Sequence, residues 1–148
     1  VEAVQAYGLD VAQEAGDHIH IRNIQVTENV AGAYALQPDF DLVLLTTKAH
    51  DVLPPIVNLS KETDTLPLVV TFQNGVGTEE TIAEVIGEDH VIAGTISVPA
   101  SMTGPAVIET VRRGGIGIAP VTGEVIGTPI AEALRGAGFV VAVYDDYR

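Results

Sequence analysis

Cysteine is absent from this chain. Disulfides and thiol catalysis are thereby excluded. Positive charge is scarce: 7 lysines and arginines stand against 20 aspartates and glutamates, a formal net charge of -13. The basic footprint that nucleic acid or an anionic membrane would require is therefore missing, and solubility with self-repulsion accounts for the acidity. Apolar runs are short. None approaches the ~20 residues needed to span a bilayer, and no secretory signal opens the chain. No Gly-x-Gly-x-x-Gly follows a strand; Gly114-Gly115-Ile116-Gly117 is only a weak mimic inside a hairpin. No Gly-x-Ser-x-Gly elbow surrounds Thr95, Ser97 or Ser101, which removes the nucleophile reading. Internal repeats and low-complexity segments are lacking too. A cytoplasmic setting is compatible with these absences.

What remains is a chain of 148 residues, 47% hydrophobic and 18% charged. That is enough for one globular domain with a real core. Its pivot is Thr71-Phe72-Gln73-Asn74-Gly75-Val76-Gly77, where the apolar run from Leu66 meets the helical spacing of Thr78–Ile86. Strand to helix is not a hairpin, so Asn74-Gly75 is read as the loop at the carboxyl end of a strand, where ligands bind in open parallel sheets. A second junction of this kind closes the continuous apolar run Asp41–Thr47, read as a strand buried on both faces. It ends in Lys48.

Elsewhere, Val4–Tyr7 reads as the end of a helix or turn closed by Gly8. The alternating stretches Leu9–Gln13 and Ile19–Val26 form a hairpin or neighbouring strands, with a slip between Ile21 and Ile24 that marks a bulge. His18 and His20 share one face but have no third ligand nearby, so they are solvent-facing. Val52, Ile56 and Leu59 make a helical stripe whose first turn accommodates Pro54 and Pro55. His90–Val98 is a further strand, and Gly94 within it suggests close approach by another backbone or a ligand. Ala106–Arg112 and Ile116–Ala119 are expected to pair as a hairpin about Gly114. Thr128 caps a helix begun by Pro129, and Phe139–Tyr144 is the closing strand. Strands alternating with helices imply an α/β fold with a doubly wound, mostly parallel sheet, interrupted by that antiparallel hairpin.

Glu79 and Glu80 occupy the first turn of the helix after Asn74. They suit its dipole and would repel phosphate, so this loop is not a phosphate cradle. It suits a neutral or modestly polar group, for which Asn74 offers a donor and an acceptor. The residues leave equally open a structural role, with Asn74 capping its own loop. Lys48 is one of two lysines and is well placed to meet a ligand, although a snorkelling surface lysine is the reading its own surroundings favour. His50 is read as an exposed helix start, and Arg112 and Arg113 as solvated hairpin charge.

Four motifs in register nevertheless resemble the ketopantoate reductase (2-dehydropantoate 2-reductase) family. They are Asp41–Ala49, Phe72–Glu80, Ala93-Gly94-Thr95, and Gly104–Ile108 leading to Gly115–Pro120. Together they cover most of residues 7–148. The resemblance implies the central part of the N-terminal, Rossmann-like, NADP-binding domain. Its first strand and glycine-rich loop are expected to lie before Val1, and the helical substrate domain to be absent from residues 1–148. It implies reduction of ketopantoate to pantoate with NADPH, in pantothenate biosynthesis. It implies a cofactor-side role for Lys48, contact of Asn74 with both nicotinamide and substrate, and a border of the cofactor at the loop around Ala100. The family's catalytic lysine is expected beyond Arg148. The expectation is therefore a fragment, inactive alone, whose NADPH binding is weak or undetectable because the pyrophosphate site supplies much of the anchoring. The alternatives are a reductase of another 2-oxoacid, or a non-catalytic association or ligand-sensing domain. An exposed sheet edge would favour homo-oligomers.

Overall fold

Period-two alternation and apolar runs become strands here, and three-to-four-residue apolar spacing becomes helices. The computed structural model describes residues 1–13, 16–73, 77–110, 114–122 and 127–147. In chain order these form α1 (Glu2–Tyr7), β1 (Leu9–Gln13), β2 (His18–Ile21), α2 (Val30–Leu36), β3 (Leu42–Leu45), α3 (Leu53–Glu62), β4 (Leu68–Thr71), α4 (Thr78–Ile86), β5 (Val91–Ile96), β6 (Ala100–Gly104), β7 (Val107–Thr110), β8 (Gly115–Pro120), α5 (Gly127–Gly136) and β9 (Val140–Val143). They divide into two units, one made of Val1–Glu28 with Ser97–Gly114, the other of Asn29–Ile96 with Gly115–Arg148.

The first unit carries a four-stranded sheet in the order β2-β1-β7-β6. β1 and β2 form the expected antiparallel hairpin, and β1 runs parallel to β7. Cross-strand partners share a face, so Ile19, Val11, Ile108 and Met102 make one apolar row across all four strands. His18 and His20 occupy the other face and are exposed, as expected, with His20 Nδ1 2.5 Å from Asp10 Oδ1. β2 stops at Ile21, so the alternation through Ile24 and Val26 is not strand. The carbonyl of Val26 instead accepts a hydrogen bond from the Gln5 side chain at 3.1 Å.

One pairing differs from the sequence expectation. The antiparallel hairpin exists, but its arms are β6 and β7, reversed at Pro105-Ala106, where Ala106 has φ 61. β8 joins the other sheet, beside β5 and β9. Gly114 does not serve as a hairpin turn. A Cβ there would lie 2.3 Å from the Ser97 carbonyl oxygen, so glycine permits a close backbone passage at that point. Val111, Arg112 and Arg113 lie outside the described residues.

The second unit is a five-stranded sheet, β3-β4-β5-β8-β9, covered on both faces. β3, β4 and β5 are parallel, β8 is antiparallel to β5, and β9 is parallel to β8. Successive residues of β4 divide the core. Val69 joins Leu45, Val52, Ile56, Leu59, Ile82, Ile86 and Val91 beneath α3 and α4. Val70 joins Ile92, Ile116, Ile118, Val141 and the α5 residues Ile130, Ala131 and Leu134. This is the doubly wound, Rossmann-like arrangement with mixed pairing that the alternation implies.

α3 begins with Pro54 and Pro55 in its first turn, and α4 spans the stretch that its spacing indicates. α5 opens at Gly127, so Thr128 lies inside it rather than before it. The segment before Phe40 is α2, which periodicity did not reveal. Its signal was Asn29, whose side chain caps the helix by accepting the Gly32 N–H at 2.8 Å. β3 is a sheet edge, and Leu44 is 47% exposed, which corrects the expectation of burial on both faces. α5 packs over β8 and β9, and on the same face of β3 the partly buried Leu42 packs against the cluster that α5 covers.

Candidate functional site

Within the second unit, the carboxyl ends of β4 and β5 open into a cleft of about 320 Å³. Pockets of this order and upward suit small ligands or part of a cofactor. Gln73 forms one side, and Ala93, Gly94 and Thr95 of β5 face Gly117, Ile118 and Ala119 of β8 across it. Glu79, Tyr144, Asp146 and Tyr147 complete the lining.

Each wall has a local cause. β5 passes under the Phe72 ring only because residue 94 is glycine: a Cβ there would lie 2.7 Å from Phe72 Cε1 and 3.0 Å from the Thr71 oxygen. The close approach read from the sequence is thus made by an aromatic ring as well as a backbone. Beyond β9 the ladder continues one step, with Tyr144 N–H donating to the Ile118 carbonyl at 2.9 Å. The Tyr144 ring sits against Gly117, where an added Cβ would be 3.1 Å from Tyr144 Cε2. Tyr147 donates its hydroxyl hydrogen to Glu80 Oε1 at 3.1 Å, tethering the end of the chain to the first turn of α4. Thr78 likewise donates to Glu79 Oε2 at 3.1 Å.

Gln73 is the least expected member. It is 8% exposed, its Nε2 donates to the Leu45 carbonyl at 2.9 Å, and its Oε1 accepts from the Thr71 hydroxyl. Among the described lining residues there is no lysine or arginine, while Glu79 and Asp146 bring negative charge. Such a lining disfavours phosphate or carboxylate and suits a carboxamide or another uncharged polar group.

The three residues singled out for cofactor contact fall differently. Lys48 is exposed and caps the 3-10 turn Ala49–Asp51 just past β3, its carbonyl accepting the Asp51 N–H at 2.9 Å. It belongs to the same unit as the cleft without lining it. Ala100 is exposed at the start of β6 in the first unit, paired opposite Thr110. Asn74 lies outside the described residues. His50 is exposed, as expected, with Nε2 3.3 Å from Asp51 Oδ2. Sequence reasoning missed Gln73, Tyr144 and Tyr147. The only signal for Gln73 was a long polar side chain at the end of an apolar strand.

Comparison with known proteins bears on this geometry. A family model described as ketopantoate reductase PanE/ApbA matches residues 1–123. The 2-dehydropantoate 2-reductase of Halobacterium salinarum is 32% identical over 106 residues, which are 71% of this chain and 33% of that protein. A PanE/ApbA family ketopantoate reductase from Ralstonia eutropha superposes with a TM-score of 0.84 at 24% identity, over 99% of this chain and 46% of that one. A D-mandelate dehydrogenase, solved with NADH and anilino(oxo)acetate, does so with a TM-score of 0.83 at 19% identity, over 98% of this chain and 46% of that one. These likenesses establish a shared fold. The chain spans about a third of the curated relative and about half of each solved neighbour.

Proposed function

Because the chain belongs to the ketopantoate reductase family, we propose that it supplies the dinucleotide-side part of an NADPH-dependent 2-oxoacid reductase, with 2-dehydropantoate as substrate and pantoate as product. The observation that carries this reading is the cleft at the carboxyl ends of β4 and β5, bordered by Gln73 and floored by small residues. That position is where doubly wound sheets bind their ligands.

The residues present fit the nicotinamide end of such a cofactor better than its phosphates. The lining offers hydrogen-bonding groups for a carboxamide, and Glu79 and Asp146 oppose an anion. When bound, the reduced nicotinamide supplies a hydride to the substrate's carbonyl carbon, and the carbonyl oxygen takes up a proton. Asn74 holds the carbonyl and the nicotinamide amide through its own carboxamide. Lys48 offers an ammonium to the cofactor side.

NMR titration, which detects weak binding, tests the proposal. Added NADPH is expected to shift the amides of Lys48, Gln73, Gly94 and Tyr144 more than NADH does, and the shifts at 73 and 94 are expected to vanish in Asn74→Ala. Shifts scattered over the first unit's sheet instead, or none at millimolar NADPH, would defeat it. A second reading, association through the edge of β3, is favoured by the exposure of Leu44 on that strand.

A further inference from the structure

Three polar side chains are buried among the described residues: Thr71, Gln73 and Thr78. The two threonines are small. Gln73 is long, belongs to a residue type mostly found exposed, and carries a carboxamide that is costly to bury without partners. It has them at both ends. Its Nε2 donates to the Leu45 carbonyl at 2.9 Å, and its Oε1 accepts from Thr71. The Leu45 carbonyl also accepts the Phe72 N–H at 3.0 Å, so this last residue of β3 is held twice by the end of β4. Three residues beyond Leu45 stands Lys48, and the residue after Gln73 is Asn74. Gln73 therefore joins the two strand ends on which the candidate ligand-contacting residues are mounted, and it also lines the cleft.

We propose that Gln73 is a positioning residue: its buried carboxamide clamps the end of β3 to the end of β4 and so sets where the Lys48 turn stands relative to the cleft. This rests on reading the cleft as the dinucleotide and 2-oxoacid site. The ladder hydrogen bond from Phe72 fixes the strands' separation, but one bond leaves the chain beyond Leu45 free to pivot. The second bond, from a side chain packed in the cleft wall, removes that freedom. The requirement is for a donor on one arm and an acceptor on the other. Glutamine supplies both at neutral pH. Glutamate has the same shape but, when ionised, turns an acceptor toward the Leu45 carbonyl. Protonated, it regains a donor. Burial, together with Glu79 and Asp146 on the same lining, would raise such a carboxyl above its ordinary value of about 4.3.

The test compares the 148-residue chain, Gln73→Leu and Gln73→Glu by NMR between about pH 5 and pH 8, each variant read against wild type at the same pH. In Gln73→Leu, the amides of Thr46, Thr47 and Lys48 are expected to be displaced at every pH, while those of β5 and β8 hold. In Gln73→Glu, they are expected to match wild type at the acid end and depart as pH rises. NADPH affinity is expected to follow the same pattern, weakened about tenfold in Gln73→Leu, as the loss of one well-made hydrogen bond would give. Unmoved Thr46–Lys48 amides in Gln73→Leu would overturn the proposal. So would displaced amides with unchanged NADPH affinity. If wild type itself fails to bind NADPH, the functional reading falls, but the amide comparison still decides the clamp. Should Gln73→Leu not fold, Gln73→Glu at the acid and alkaline ends carries the same comparison.

Discussion

At the scale of single residues, the informative side chains are polar groups in apolar places. Gln73 satisfies its carboxamide within the core and acquires a role by doing so. Tyr34 does the reverse. Its hydroxyl is buried without a hydrogen-bond partner among the described residues, and its ring stands edge-on to Phe40 at 5.1 Å. Burial first, and then the nearby Asp39 charge, raise its pKa above the ordinary 10.0. The folded state thus holds this proton more tightly than the unfolded chain does. The contribution is fully present below about pH 10 and is lost as pH climbs through the raised value. Tyr34→Phe keeps the ring contact and removes the unpaired hydroxyl. It should be neutral to stabilising at pH 7, by up to about 1 kcal/mol. Urea melts at pH 7 and above pH 10 check both parts, with the variant losing less stability than wild type at the alkaline end. Neither Gln73 nor Tyr34 was legible from the sequence, because whether a polar atom is paired depends on distant carbonyls and hydroxyls.

Elements were read more successfully, since periodicity is a local property. α3, α4 and the strands they bracket fall where apolar spacing and proline placement put them. Misreadings arose where partner choice mattered. β7 and β8 are adjacent in sequence and both alternate, which invited a hairpin, yet each finds its neighbours in a different sheet. Gly94 shows how one residue lets two elements lie together. β5 can run beneath the Phe72 ring of the segment after β4 only without a Cβ at 94. Gly94→Ala should destabilise by about 1–3 kcal/mol through overpacking, and Phe72→Leu in the same chain should recover part of the loss. Thermal denaturation of the two single variants and the double variant would show the coupling; strictly additive effects would contradict it.

For the whole molecule, charge and exposed edges set behaviour in solution. A net charge of -13 keeps chains apart at low ionic strength, whereas β3 is a sheet edge carrying a half-exposed leucine. If that edge associates, light scattering should report a mass that rises with salt, as screening removes repulsion, and Leu44→Lys should abolish the rise. A mass independent of salt in both proteins would dismiss association. Among the described residues, no helix is long and apolar enough to cross a membrane. The sequence by itself determined the α/β class, the two strand-to-helix junctions and the family, because these depend on local spacing and short motifs. Only the tertiary structure decided that β3 is an edge, that β6 and β7 leave the main sheet's succession, and that Gln73 joins β3 to β4. Those outcomes depend on which distant backbone groups meet, and hydrogen bonds between residues 28 positions apart leave no periodic trace in the chain.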